Sequence, residues 1–191
     1  MGIQVLIIDF GSQYTQLIFH KLLYKLKVNV ELIDFYSFKN TETVLKDNYP
    51  DLKAIILSGS PRSINNNSLN INFVLLENYS ILGICYGAQM IAYNYGCVLD
   101  KFNQGEFGPT LIVNKTNHKI FDRIYDSHIV YMSHNDSIKE VSSDIEIMSY
   151  TENNIPAIWK VKNSKNLILG FQFHPEVEDT IYGTTLLSNF L

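Results

Sequence analysis

Cys85 lies in Gly83-Ile84-Cys85-Tyr86-Gly87-Ala88-Gln89, with a glycine two residues away on each side. Before it runs Ile81-Leu82-Gly83-Ile84, an apolar segment that reads as a short buried strand. After it Ala88, Ile91, Ala92 and Tyr95 recur at the spacing of one helix face, and Gly96 stands in the C′ position that stops such a helix. Cys85 is therefore expected on a sharp strand-to-helix turn, where small neighbours let the chain tighten and leave the side chain at its tip. Sulfur placed there faces the N–H groups and dipole of the helix N-terminus, which favour the thiolate, the nucleophilic form. Gln89, four residues on, shares the helix face of Cys85 and can hold a polar substrate. The other cysteine, in Gly96-Cys97-Val98-Leu99, reads as an ordinary core thiol.

A cysteine nucleophile needs a base, and the base needs an orienting group. The chain has five histidines. His20, beside Lys21 in a helical pattern, and His118 and His128, in polar surroundings, read as solvated surface residues. His174 differs: it follows the strand-like run Leu167–Phe173 and opens His174-Pro175-Glu176. Pro175 drives His174 toward an extended conformation. In extended chain i and i+2 point the same way, so Glu176 can stand beside His174, fix its tautomer and stabilise the imidazolium. His134, in Ser133-His134-Asn135-Asp136 after another strand, is the second candidate base.

These residues need a scaffold, and the hydrophobic pattern supplies one. Ile3–Ile8, Val28–Ile33, Ala54–Leu57 and Ile81–Ile84 read as buried strands. Between them fall a helix over Tyr14–Lys27, a loop over Asp34–Asn40, and a weak helix over Thr41–Asp47 with Thr41 as a possible cap. Asn65–Ser68 reads as surface loop and about Asn70–Glu77 as helix. Strands alternating with helices imply βαβ units and a parallel sheet, with ligands outside the carboxyl ends of its strands. Asp9–Gln13, Ser58–Pro61 and the Cys85 turn all fall at that edge. Past Gly96 the strand-like runs Thr110–Val113, Ile129–Met132, Ile145–Tyr150, Ile155–Val161 and Leu167–Phe173 follow one another, the later ones without convincing helices between them, which points to antiparallel pairing for some of them. A final helix is expected from about Thr180 to Leu191. The expected fold is α/β: an open, mainly parallel sheet flanked by helices in a flavodoxin-like three-layer arrangement, with extra antiparallel strands in the C-terminal half.

Length and composition fit this expectation. With 191 residues, 46% hydrophobic and 18% charged, the chain reads as one globular domain over residues 1–191. A formal net charge of −4 lacks the basic footprint of a nucleic-acid binder. Two cysteines cannot build a disulfide framework, and no Cys/His cluster has zinc spacing, so no metal is expected. No apolar run reaches membrane-spanning length, and no basic segment precedes an apolar one at the N-terminus. A reducing, cytoplasmic setting is expected.

Gly83-x-Cys85-x-Gly87-x-Gln89 with His174-Pro175-Glu176 near the C-terminus resembles the triad-type, class I glutamine amidotransferases. Within that family Ile8–Ile18, Leu57–Pro61, Gly105–Gly108, Met132–Asp136 and Gly170–Val177 are similar to the glutaminase domains of GMP synthases. Each motif is weak alone, but together and in order they are highly specific. The resemblance implies that Cys85 attacks the side-chain amide of glutamine to form a γ-glutamyl thioester. It implies that His174 acts as base and then acid, and that Glu176 orients it. It implies an oxyanion held by the backbone N–H groups of Gly59 and Tyr86, and a substrate held by Gln89, Ser133, His134, Asn135 and Asp136. Ser60 stands where the family usually has a second glycine, Ala88 where methionine is common, Asn135 where glycine is common and Asp179 where histidine is frequent. Asn tolerates positive φ, so Asn135 is expected to keep the shape of a loop.

The reaction so implied is incomplete in this chain. Converting XMP to GMP uses ATP, yet the sequence has no Gly-x-x-x-x-Gly-Lys-Ser/Thr loop. The domain itself is expected to need no cofactor, with Mg-ATP held by an ATP pyrophosphatase (synthetase) partner. The stop at Leu191 within a helical pattern suggests a domain cut from a longer protein, the alternative being a separate glutaminase subunit. Three other readings stand beside this one. They are a glutaminase for another synthetase such as anthranilate synthase, a weakly active regulatory module, and a stand-alone cysteine hydrolase.

Overall fold

The computed structural model describes residues 2–64, 71–76 and 78–191. The first apolar runs form β1 (Val5–Asp9), β2 (Val30–Asp34), β3 (Ala54–Leu57) and β4 (Ser80–Ile84). They pair in parallel in the order β2-β1-β3-β4, with Val5 opposite both Val30 and Ala54, and Ala54 opposite Ser80. The last strand, β9 (Ile168–Phe171), returns to lie parallel to β4, with Gly83 opposite Gly170. Beyond it β8 (Pro156–Val161), β7 (Ile145–Thr151), β5 (Val98–Asn114) and β6 (Ser127–Glu140) extend the sheet by antiparallel pairing. The whole is one sheet in the order β2-β1-β3-β4-β9-β8-β7-β5-β6.

Both faces of the parallel half are buried, which is why its strands read as continuous apolar runs. Leu6, Ile8, Ile55, Leu57 and Ile81 face one way. They pack under α2 (Phe35–Thr41), α3 (Leu45–Asn48), α4 (Phe73–Leu76) and α5 (Tyr86–Asn94). Val5, Ile7, Ile56, Leu82 and Ile84 face the other way, under α1 (Thr15–His20) and α6 (Gly183–Phe190). Leu6, Ile7, Ile8, Ile55, Ile56 and Leu57 are fully buried, and each such side chain contributes about 1.5–3 kcal/mol.

Several local expectations are corrected. The helix expected over Tyr14–Lys27 is α-helical only to His20; a π-helical stretch, Lys21–Lys25, follows, and Lys27 ends it at φ +57°. The Asp34–Asn40 segment is not a loop but α2. Asp34, the last residue of β2, accepts from the N–H groups of Tyr36 and Ser37 at 3.0 Å each, while Phe35 and Phe38 enter the core. A strand end thus doubles as an N-cap, a signal that strand periodicity hides. Thr41 does not start a helix: it ends α2, and a 3₁₀ turn over Glu42–Val44 leads into the single turn of α3. Asn65–Ser68 lies outside the described residues, as do both ends of the helix expected over Asn70–Glu77, which is the one turn α4. The hairpin strands β5 and β6 are much longer than their apolar cores predict, because their polar ends still pair with each other. Among the described residues no helix is long and apolar enough to cross a membrane.

Candidate active site

Cys85 sits between β4 and α5 with φ +50° and ψ −105°, a conformation that L-residues rarely adopt and that stores strain. Neighbouring backbone fixes it. The Cys85 N–H donates to the Phe171 carbonyl at 2.8 Å, its carbonyl accepts from the Gln89 N–H at 2.9 Å, and the Gly87 N–H donates to the Ser58 carbonyl at 3.1 Å. A Cβ on Gly83 would stand 2.5 Å from the Ala88 nitrogen, and one on Gly87 would overlap the Leu57 carbonyl. The two glycines therefore permit α5 to close onto β3 and β4. Gly87→Ala is expected to lower the urea midpoint by the equivalent of about 1–3 kcal/mol and to reduce the reactivity of Cys85 toward alkylation. An unchanged midpoint and unchanged alkylation would count against this packing account.

The three loops at the carboxyl edge meet here. Ser58 Oγ accepts from the Phe10 N–H at 2.9 Å, and Ser60 Oγ donates to the Phe10 carbonyl at 3.0 Å. Asp9 Oδ1 holds its own loop, accepting from the Gly11 N–H at 2.8 Å and the Thr15 hydroxyl at 2.7 Å. Gly59 packs against the His174 ring and Ser12: a Cβ on it would lie 3.2 Å from His174 Cε1 and 3.3 Å from Ser12 Oγ. Ser60 has no positive φ, so glycine is not required at that position.

His174 follows β9, and its N–H donates to the Tyr131 carbonyl at 2.9 Å while Thr180 Oγ1 donates to its carbonyl. Its Nδ1 lies 2.7 Å from Glu176 Oε1, and the Cys85 sulfur is near enough to act on the charge of the ring. Both His174 and Glu176 are buried, at 3% and 1% exposure. Burial pulls the His174 pKa down, but the Glu176 charge and the Cys85 sulfur outweigh it and raise it to about 10. Glu176 Oε2 is buried with no hydrogen-bond partner among the described residues, so this carboxylate depends on the imidazolium for charge compensation. An imidazolium between a carboxylate and a sulfur is an arrangement that can generate a thiolate and later return a proton to a leaving group.

Cys85 opens into a cleft of about 290 Å³ lined by Gln89, Ser133, His134, Asn135 and Asp136, with Arg62 and Lys101 also on its wall. Sulfur stands 3.8 Å from the Ser133 carbonyl. Gln89 Nε2 donates to the Asp136 carbonyl at 2.7 Å. Ser133–Asp136 is not a loop: all four residues lie in β6, and Asn135 has no positive φ, so its ability to adopt one is not used. His134 is set apart as a base because both ring nitrogens are engaged: Nδ1 lies 3.1 Å from the Asp136 carbonyl and Nε2 3.3 Å from Glu106 Oε2.

The sequence reading brings Cys85, Gly59, Tyr86, Gln89, Ser133–Asp136, His174 and Glu176 to one edge, and the structure places all of them there. It misplaces His128, which is buried with Nδ1 3.1 Å from the Tyr125 carbonyl and its ring edge-on to Tyr182. It misses three residues. Tyr14 lies edge-on to His174, with ring centroids 4.9 Å apart. Gln172 is fully buried, with Nε2 4.0 Å from the Cys85 sulfur and Oε1 3.4 Å from Gln89 Nε2. Glu106 is a buried carboxylate behind the cleft wall. Gln172 was the most findable, being two residues before His174 and so on the same side of an extended strand end. Among the described residues no group of three or more His, Cys, Asp or Glu side chains could hold a metal ion.

The chain is 38% identical over 191 residues to a GMP synthase [glutamine-hydrolyzing] of Cytophaga hutchinsonii, covering 98% of this chain and 36% of that one. It is also 38% identical to the Brachyspira hyodysenteriae protein of the same name, covering 98% and 35%. It thus spans about a third of the length of these relatives. A solved structure of a putative GMP synthase component from Thermoplasma acidophilum superposes with a TM-score of 0.80 at 26% identity, covering 100% of this chain and 92% of that one. A glutamine amidotransferase of Thermotoga maritima shares the fold, with a TM-score of 0.75 at 20% identity over 93% and 77% of the two chains. The family model for glutamine amidotransferase class-I matches residues 6–191, and the chain belongs to that family.

Proposed function

We propose that this chain hydrolyses glutamine to glutamate and ammonia and passes the ammonia to an ATP-dependent synthetase that converts XMP to GMP. The observation that carries the reading is the placing of Cys85 beside the His174–Glu176 pair, at a strained turn that faces a cleft lined by polar side chains. In the proposed reaction the Cys85 sulfur adds to the side-chain carbonyl carbon of glutamine. The backbone N–H groups of Gly59 and Tyr86 hold the oxyanion that develops. His174 gives its proton to the departing ammonia, leaving a γ-glutamyl thioester. Water then adds to the thioester, His174 takes a proton from it, and glutamate leaves as the thiolate re-forms. Glu176 keeps His174 oriented throughout. Gln89 and the Ser133–Asp136 strand hold the substrate, and the opposite charges of Arg62, Lys101 and Asp136 suit a zwitterionic amino acid.

The partner assignment is supported by the names of the relatives and by the length they have beyond the matched third. Mg-ATP belongs to the synthetase, whether it shares the polypeptide or stands apart from it, and the chemistry assigned to this domain needs no cofactor. Two measurements test the reading. Glutamate and ammonia are expected in equal amounts from glutamine, and peptides or simple esters are expected to be poor substrates; the reverse preference would favour a general cysteine hydrolase. Adding a GMP synthetase loaded with XMP and Mg-ATP is expected to raise glutaminase turnover at least severalfold. Equal rates with and without the loaded synthetase would remove the coupling from the proposal.

A further inference from the structure

Glu106 carries a buried charge that the glutaminase chemistry does not use. Its side chain is 5% exposed and that of His134 2%, and the two meet at 3.3 Å, Oε2 to Nε2. The other carboxylate oxygen accepts from Asn153 Nδ2 at 3.2 Å. Burial pushes a carboxyl up, but hydrogen bonds from His134, Thr151 and Asn153 outweigh it and hold Glu106 below its ordinary range.

What this charge holds is a wall without a regular ladder. β5 and β6 pair Lys101 with Asp136, then lose register, and resume with Glu106 opposite His134. Asn135 sits across from that break, so side chains must supply the order that backbone pairing leaves out. Two donors converge on the Asp136 carbonyl: His134 Nδ1 at 3.1 Å and Gln89 Nε2 at 2.7 Å. Gln89 Nε2 also faces Gln172 Oε1 at 3.4 Å. Both neighbours of that amide nitrogen are acceptors, so a flipped Gln89 would set oxygen against oxygen. Gln89, which lines the cleft, is thereby held with its amide nitrogen toward the Asp136 carbonyl.

We propose that Glu106 is a positioning residue for substrate recognition: through His134 it holds the Asp136 carbonyl, and through that carbonyl the orientation of the Gln89 amide. This rests on the glutaminase reading above. It separates two jobs in one site, because the wall selects the substrate while Cys85, His174 and Glu176 perform the chemistry.

The test compares two reagents that alkylate Cys85 in the full chain. Iodoacetamide is small and needs only the sulfur, whereas 6-diazo-5-oxo-L-norleucine is a glutamine-shaped electrophile that needs the wall. In Glu106→Ala, labelling by the glutamine-shaped reagent is expected to slow about tenfold or more, with iodoacetamide labelling unchanged within about twofold. The KM for glutamine is expected to rise to match, with kcat within about threefold of the parent. Glu106→Gln keeps an acceptor for His134 and is expected to rescue most of the loss. Asn153→Ala, which spares the ion pair, is expected to shift both readouts in the same direction by less, and serves if Glu106→Ala does not fold. Unchanged selectivity in the folded variants, or an equal fall with both reagents, would overturn the proposal. Parent protein that reacts with iodoacetamide but ignores the glutamine-shaped reagent would instead overturn the glutaminase reading itself.

Discussion

Cys85→Ala is expected to abolish glutamine hydrolysis, with glutamate release falling on the order of 10⁴-fold or more. The size follows from the division of labour. A nucleophile, its base and the orienting group act as a unit, so removing the sulfur leaves only binding and oxyanion stabilisation. The fold should survive. Alanine is no larger than cysteine, meets the same backbone demand at φ +50°, and leaves the Gly87–Ser58 and Cys85–Phe171 backbone bonds in place. The buried Cys97 provides the control: its sulfur accepts from the Ser142 N–H at 3.4 Å. Cys97→Ala is expected to cost stability but to leave glutamate release and labelling by the glutamine-shaped electrophile near the parent level. Glutamate release by Cys85→Ala at more than a few per cent of parent would mean that water attacks glutamine directly, and would retire the thioester pathway.

What was legible in the sequence and what was not follow from how each feature is encoded. The Cys85 turn was legible because it depends on local spacing: glycines two residues to either side, an apolar strand before and a helical stripe after. His174 and Glu176 were legible as a pair from Pro175 between them, although Pro175 and Glu176 lie in a turn and not in the extended chain that was expected. The parallel half of the sheet was legible because strands buried on both faces leave uninterrupted apolar runs. Helix α2 was not, because its cap, Asp34, belongs to the preceding strand and its core contacts are two phenylalanines in a polar segment. The hairpin of β5 and β6 was half legible, since only its apolar core carries strand periodicity. The Glu106–His134 pair was invisible for a stronger reason: it joins residues 28 positions apart across a register break, and no local pattern records such a contact. His128 was misread because polar neighbours in sequence do not report burial beneath Tyr182.

Glu176→Gln is expected to lower kcat/KM by about 10²–10⁴-fold near neutral pH and to move the basic limb of its pH profile downward. The direction follows from the charges around His174. Burial opposes the imidazolium, while the Glu176 carboxylate and the Cys85 sulfur favour it and win, raising the His174 pKa to about 10. A group raised in this way keeps its proton below that value and loses it above. The reactive state pairs thiolate with imidazolium, so activity should persist into alkaline solution and fall as pH rises through about 10. The substitution keeps the shape of the side chain but removes the charge, and its amide can offer a donor where Nδ1–H needs an acceptor. The imidazolium then loses its main support, and its pKa drops toward the ordinary histidine range near 6.5. At neutral pH much of the enzyme would hold His174 neutral, without the proton that departing ammonia requires. Tyr14 and Thr180 still fix the ring and its backbone, so the loss should come from charge rather than collapse. Measuring kcat/KM from about pH 6 to about 10.5 separates the two (at about half-unit steps). A basic limb displaced by more than about one unit supports the charge account, whereas a uniform fall with the limb in place would assign Glu176 to packing alone.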